Sequence, residues 1–362
     1  MDFNLVNIKP CDNTFFGDGN QFNFDISNLI KSKNTPYPSV FFGAIFTAIL
    51  THNDKFRKAF FQNGRYDHES ILKIGQIYLF NEESKSVYIK APMDLFANSK
   101  SEISFGKFKN NAGNLNSLSY EYILEIPAGM DYKRIENMYI NIKNIHDSYS
   151  KKQGIRVELK DENQLFVKNH KIGIGINKNT KKTEEGKLYQ IEQTEFIDNN
   201  WSYIVEYKIN KDYLKNSIYK EIEVKNLDKG YLKLGGENKP CKFKTIYNDK
   251  IERFNSKKTG NLNSGIYKIL FTSETYFPKG IDSFFKKNNI RILGVSNDKP
   301  IYIGGYDMQG KGTIRKMYKG YSAGTVILVE FNNNSNTKDI YELLKNDSVK
   351  GFNNCVILKE DF

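Results

Sequence analysis

The 362-residue chain is poor in the residues that ligate metals and carry redox or nucleophilic chemistry: three cysteines, four histidines and one tryptophan. Cys11, Cys241 and Cys355 are far apart, form no CxxC pair, and leave one thiol over in any disulfide scheme, so a reducing cytoplasm fits best. No stretch approaches the roughly 18 apolar residues that a membrane span requires, and Met1–Pro10 lacks a basic segment followed by an apolar one. A soluble cytoplasmic protein with no membrane partner is expected. Also missing are GxxxxGK[ST], HExxH and zinc-type Cys/His spacing, and Gly173-Ile174-Gly175 lacks the third glycine of a dinucleotide loop. Neither a cofactor nor a metal is expected. His52, His68, His146 and His170 are unpaired in sequence, and Asp12, Asp18 and Asp25 sit in a Gly- and Asn-rich region where turn-capping is their ordinary work. No catalytic constellation emerges, so the expectation is a protein that is not an enzyme.

What is present points elsewhere. With 39% hydrophobic and 14% aromatic residues the chain can bury substantial cores, and its length exceeds the size at which one core stops growing, which predicts two domains. The net charge of +12 favours a polyanionic partner such as nucleic acid. Only seven of the 54 basic residues are arginine, a skew that genome base composition can produce, so charge needs a second signal.

Strands are predicted at 3–8, 74–80, 87–89, 266–271, 290–293, 301–303, 326–331 and 354–360, and a buried helix over 40–51 capped by Ser39. The alternation at 170–176 and the return at 188–194 predict a long hairpin with a cationic tip, and Trp201 to Ile209 alternates as a strand. Helical spacing is read over 131–148, and a further helix over 213–228 ending at Gly230; a short one is read at 339–344. Residues 98–116 carry no period and read as a polar loop or insertion. Strands mixed with few helices and no regular βαβ repeat predict the α+β class, with domains at 1–255 and 256–362.

The most informative block is 298–331. Ile301–Ile303 is broken by Gly304 and Gly305, which allow close backbone approach. The following loop interleaves Lys311, Arg315, Lys316 and Lys319 with Tyr306 and Tyr318, so one segment could neutralise phosphates and stack bases. A second basic group, Lys171, Lys178, Lys181 and Lys182, belongs to the hairpin, and Leu234-Gly235-Gly236 offers another glycine turn.

An ordered series of motifs carries a resemblance: FFGDGNQFNF at 15–24, PYPSVFFGAIFTAIL at 36–50, APMDLF at 91–96, IGIGINKNTKKTEEGKLY at 172–189, YLKLGGENKP at 231–240 and IGGYDMQGKGTIRKMYKGYSAGTV at 303–326. Together they resemble the RAMP superfamily of CRISPR proteins, and within it the third subunit of the type III-B (Cmr) effector complex. The resemblance implies two ferredoxin-like, RRM-related domains with a thumb-like β-hairpin, and a non-catalytic role in antiviral defence. It also implies recognition of the repeat-derived 5′ end of the guide RNA (crRNA), contacts with the large polymerase-like subunit and a backbone RAMP subunit, and only indirect contact with target RNA. RNA-binding residues implied in this way are Lys171, Lys178, Lys181, Lys182, Gly235, Gly236, Gly304, Gly305, Lys311, Arg315, Lys316 and Tyr318. Family members usually carry arginine where this chain has Gly17 and Phe46. Two alternatives belong to the same superfamily: a guide-processing endonuclease, for which His52 is the candidate base, and the equivalent subunit of a type III-A complex. A third reading is a protein-interaction module whose basicity is compositional.

Overall fold

A computed structural model describes residues 3–17, 29–63, 67–99, 102–111, 120–128, 131–145, 153–155, 157–247, 251, 253–254, 264–304, 316–332, 344 and 349–360. The protein is a strand-rich α+β molecule with few helices, as the sequence predicts. It forms two compact units, one of residues 1–74 and 162–247, the other of 75–161 and 248–362. The single boundary expected near 255 divides the chain differently, because segment 75–161 closes onto C-terminal residues: Met93 N–H donates to the Gly324 carbonyl at 2.8 Å, and Asn354 Nδ2 donates to the Gly75 carbonyl at 3.0 Å.

In the first unit the strand Asn4–Pro10 is flanked antiparallel by Trp201–Ile209 and Pro240–Ile246, with Lys229–Lys233 at the edge beyond. Helix Pro38–His52 covers one face of this sheet. Its first-turn proline needs no hydrogen-bond partner for a missing N–H, so the helix starts one residue before Ser39, and Tyr37 at the cap position makes no side-chain bond. Phe41, Phe42, Ile45, Phe46 and Ile49 are buried nearly all round the helix, and Phe41 meets Tyr203 edge-on at 5.2 Å. The helix expected at 213–228 is cut to Lys211–Lys215. Beyond it, tertiary bonds win over helical periodicity: the Asn53 side-chain amide clamps the Lys225 backbone, Nδ2 donating to its carbonyl and Oδ1 accepting from its N–H, Leu227 N–H donates to Tyr207 Oη at 3.0 Å, and Tyr219 Oη donates to Asp67 at 3.1 Å.

In the second unit four antiparallel strands lie in the order Ile290–Ser296, Val326–Phe331, Gly265–Phe271, Cys355–Lys359. Helix Ile281–Lys287 joins the first two of these strands in chain order. The core is Tyr267, Ile269, Phe271, Phe285, Val329 and Phe331, with Leu344 from the segment expected to be helical. The rest of the 339–344 prediction lies outside the described residues. A second set of strands runs Leu72–Asn81, Ser86–Lys90, Met138–Asn141 and Leu159–Asp161. Two expectations fail here. Residues 131–148 are not one helix, since Met138–Asn141 pairs with Ser86–Lys90 and the chain turns helical only at 142–145. Tyr139 and Ile140, both buried, suit a strand as well as a helix, and pairing decides. Within the expected polar loop, Ile103–Phe105 and Lys107–Asn110 are strands, because Ile103 and Phe108 bury their side chains despite the polar residues around them.

Candidate nucleic-acid interface

The hairpin is the longest paired element of the first unit: Phe166–Ile176 runs antiparallel to Thr183–Phe196 in register from Phe166 opposite Phe196 to Ile174 opposite Leu188. Alternation holds only over its outer part, 170–176, and its turn follows from Asn177. The Asn177 side-chain oxygen accepts from the N–H groups of Asn179 and Thr180 at 3.0 Å each, while Lys181 takes φ +57°, so a side chain reinforces the backbone bonds Asn177 N–H to Lys182 O and Lys181 N–H to Asn177 O, both 2.9 Å, that close the tip. Gly173 lies under the ring of Tyr189, its cross-strand partner, where a Cβ would come within 2.3 Å of the aromatic carbons. This glycine serves ring-on-backbone packing within the hairpin.

The hairpin's outer part is apolar on one side and cationic at its end. Ile172, Ile174 and Ile176 are 68, 49 and 56% exposed, joined by Leu188 at 55%. Lys178, Lys181 and Lys182 are exposed at the turn. Its base is anchored by polar bonds: Thr14 and Thr194 exchange backbone hydrogen bonds at 2.8 and 2.7 Å, and Lys168 Nζ reaches Glu192 at 3.2 Å and Thr194 Oγ1 at 2.9 Å.

Of the predicted residues in this unit, Lys171 is drawn to the glycine turn by Glu237, whose carboxylate lies 3.4 Å from its ammonium and also accepts from Gln193 Nε2. Gly235 and Gly236 are there for packing. At φ +76° a Cβ on Gly235 would stand 2.4 Å from the Phe15 carbonyl oxygen, and Gly236 N–H donates to that same oxygen at 2.9 Å. The amide of Gly236, one of the residues implied to bind RNA, is therefore occupied by Phe15.

In the second unit Tyr318 belongs to the strand Tyr318–Tyr321, between Thr275–Tyr276 and Ile301–Ile303. Its ring stacks on Tyr276 with centroids 5.2 Å apart, and Lys316 Nζ lies 5.5 Å over it. Gly304 abuts Met317 at ordinary contact distance. The structure thus brings Lys316, Tyr318 and the Gly304 turn together; Gly305, Lys311 and Arg315 lie outside the described residues. Sequence reasoning missed Tyr276, whose two-residue strand gives no periodic signal. It also missed a ladder of exposed lysines on the first unit's outer strands, Lys229, Lys233, Lys242 and Lys244, although KGYLK and KFK alternate with period two.

The described histidines do not converge. His52 hydrogen-bonds the Ala48 carbonyl through Nδ1 at 2.8 Å and packs edge-on against Phe243, His68 packs between Phe42 and Phe46, and His170 is exposed on the hairpin. Among the described residues no group of three or more His, Cys, Asp or Glu could hold a metal ion, and no helix is long and apolar enough to cross a membrane.

A family model described as CRISPR-associated protein (Cas_Cmr3) matches residues 6–360. No curated protein matches the sequence. Among solved structures, a chain of the cryo-EM structure of the type III-B Cmr-beta bound to cognate target RNA and AMPPnP, state 1, is similar with a TM-score of 0.50 and 18% identity, over 97% of this chain and 96% of that one. A chain of the type III-B Cmr-beta bound to cognate target RNA is similar at TM-score 0.50 and 16% identity, over the same shares.

Proposed function

Since the chain belongs to the Cas_Cmr3 family of CRISPR-associated proteins, we propose that it is a non-catalytic subunit of a type III-B effector complex that holds the repeat-derived 5′ end of the guide RNA. The observation that carries this reading is the hairpin at 166–196, whose exposed Ile172, Ile174, Ile176 and Leu188 end in a turn bearing Lys178, Lys181 and Lys182. An apolar blade with a cationic tip suits a thumb that displaces a base from its stack while its lysines neutralise the flanking phosphates. Lys316 and Tyr318, with Tyr276 beneath, offer RNA a charge and a stacking ring of their own, and Gly305, Lys311 and Arg315, which lie outside the described residues, are proposed as RNA-binding with them.

The reading of two ferredoxin-like domains, along 1–255 and 256–362, draws its support from chain order in the second. In the C-terminal stretch, strand, helix, strand, strand and strand produce a sheet in which Gly265–Phe271 and Val326–Phe331 are central and antiparallel. The subunit bridges the large polymerase-like subunit and a backbone RAMP subunit and meets target RNA only through them. The engagement of His52 with Ala48 and Phe243 favours this reading over a processing endonuclease.

The reading is tested by filter binding of the full-length chain to guide RNA with and without its repeat-derived 5′ end. Replacing Ile172, Ile174 and Ile176 by serine should lower affinity for the intact guide at least tenfold and erase the 5′-end preference; equal binding of both RNAs by the unaltered chain would refute it.

A further inference from the structure

The first unit has a second basic surface, on the outer strands of its sheet. Along Lys229–Lys233 and Pro240–Ile246 the burial alternates: Gly230, Leu232, Cys241 and Phe243 turn inward, and His52 and Phe243 crowd the Gly230 backbone. Lys229, Tyr231, Lys233, Lys242 and Lys244 all point the other way, to solvent. The register puts Lys229 opposite Lys244 and Tyr231 opposite Lys242, and Lys242 is in turn opposite Lys9 on the next strand. Like charges directly across a sheet repel and destabilise it, so this arrangement persists against its own electrostatics.

Among the described residues, Lys229, Lys233, Lys242 and Lys244 are held in no ion pair. The neighbouring acid, Asp228, accepts instead from Tyr247 Oη at 2.9 Å, which raises the pKa of that phenol. Lysine on an edge strand guards against edge-to-edge aggregation, which accounts for Lys229 and Lys233. It accounts neither for a second lysine row on the inner strand nor for Tyr231, 67% exposed among them. Lysines two residues apart on a strand stand about 7 Å apart, a separation that suits successive phosphates of an extended single strand. An exposed tyrosine amid such lysines offers a base a face to stack on.

We propose that this sheet face is a binding site for single-stranded RNA, with Lys229, Lys233, Lys242 and Lys244 on the phosphates and Tyr231 stacked on a base. It rests on the exposed face alone and stands whether or not the hairpin holds the guide's 5′ end.

The test uses the full-length chain and a fluorescent single-stranded RNA lacking any repeat-derived sequence, with affinity followed against salt. A Lys229→Gln, Lys242→Gln, Lys244→Gln variant should flatten the slope of log K against log salt by about 2, since each phosphate contact on a single strand contributes about 0.7. Tyr231→Ala should weaken binding roughly fivefold to a hundredfold and leave the slope unchanged. A matched variant with the same charge loss elsewhere on the unit, Lys55→Gln, Lys215→Gln, Lys225→Gln, should change the slope by much less. The proposal is overturned if the two triple variants behave alike, or if neither departs from the unaltered chain while both keep its thermal midpoint. Loss of 5′-end preference on serine substitution of the hairpin, with this slope intact, would separate the two surfaces; a slope lost with the preference retained would do so from the other side.

Discussion

Two lysine environments in this protein show how little a net charge of +12 says by itself. Lys268, on the central C-terminal strand, has a side chain only 4% exposed and lies 3.1 Å from Asp94 and 3.4 Å from Glu360. Burial alone would drive its proton off; the two carboxylates outweigh that and hold its pKa above the usual lysine value. Lys229, Lys233, Lys242 and Lys244 carry the same charge on an open face with no carboxylate paired to them among the described residues. The first lysine is part of a closed internal charge balance and is invisible to a partner. The others are the charges that a polyanion can meet. In the sequence, Tyr267-Lys268-Ile269 and Phe243-Lys244-Thr245 look alike; packing separates them.

The contrast is broken most directly at Lys268. Its replacement by methionine strands two carboxylates, Asp94 fully buried, and should cost about 3–5 kcal/mol of stability, measured by urea unfolding. A loss below about 1 kcal/mol would mean that the buried pair is not held as described. The sign of the pH dependence follows from the raised pKa: the stabilisation is complete below the ordinary lysine pKa and fades only as pH climbs through the higher folded value. Between pH 6 and 9 the Lys268 contribution should therefore be flat, a point that unfolding curves across this range would check.

Next in size are two glycines whose backbone position admits no side chain. Gly324→Ala, at φ +94° with a Cβ that would lie 2.5 Å from the Ala91 carbonyl oxygen, and Gly235→Ala should each destabilise by about 1–3 kcal/mol. Thermal unfolding at equal concentration reads this out, and an unshifted midpoint would remove the packing account of these glycines. Smaller still is Lys242→Gln on the open face, expected to alter stability by no more than about 0.5 kcal/mol while reducing RNA affinity. Ile174→Thr, at a position 49% exposed, should leave stability within the same margin and weaken guide binding alone. A stability loss at Ile174 comparable to that of a core residue would mean that the hairpin face is covered in the free chain.

Where periodicity and pairing agree, the sequence announces the structure. Val326–Phe331, the helix around 40–51, and the hairpin about Asn177 are all read from local pattern. The family was legible in the same way, from short motifs in a fixed order. Two of those blocks, APMDLF and SAGTV, meet in space: Met93 N–H donates to Gly324 O, and Ser296 Oγ donates to Met93 O at 2.8 Å. What could not be read depends on partners distant in sequence. Tyr139 and Ile140 fit a helix until Ser86–Lys90 pairs with them; residues 216–228 keep helical spacing until Asn53, Tyr207 and Asp67 bind them elsewhere. Gly235 and Gly236 were legible as special but not for what purpose, since Phe15, which fills their space, is more than two hundred residues away in the chain.

The central claim is that this chain binds the guide without cutting it. The most direct measurement incubates the full-length protein in EDTA with labelled repeat RNA and with guide RNA carrying its repeat-derived 5′ end, and scores retention and cleavage together across salt. Retention of intact guide that weakens with salt and is lost when the 5′ end is removed is the predicted result. Specific cleavage of the repeat, or retention indifferent to the 5′ end, would contradict it.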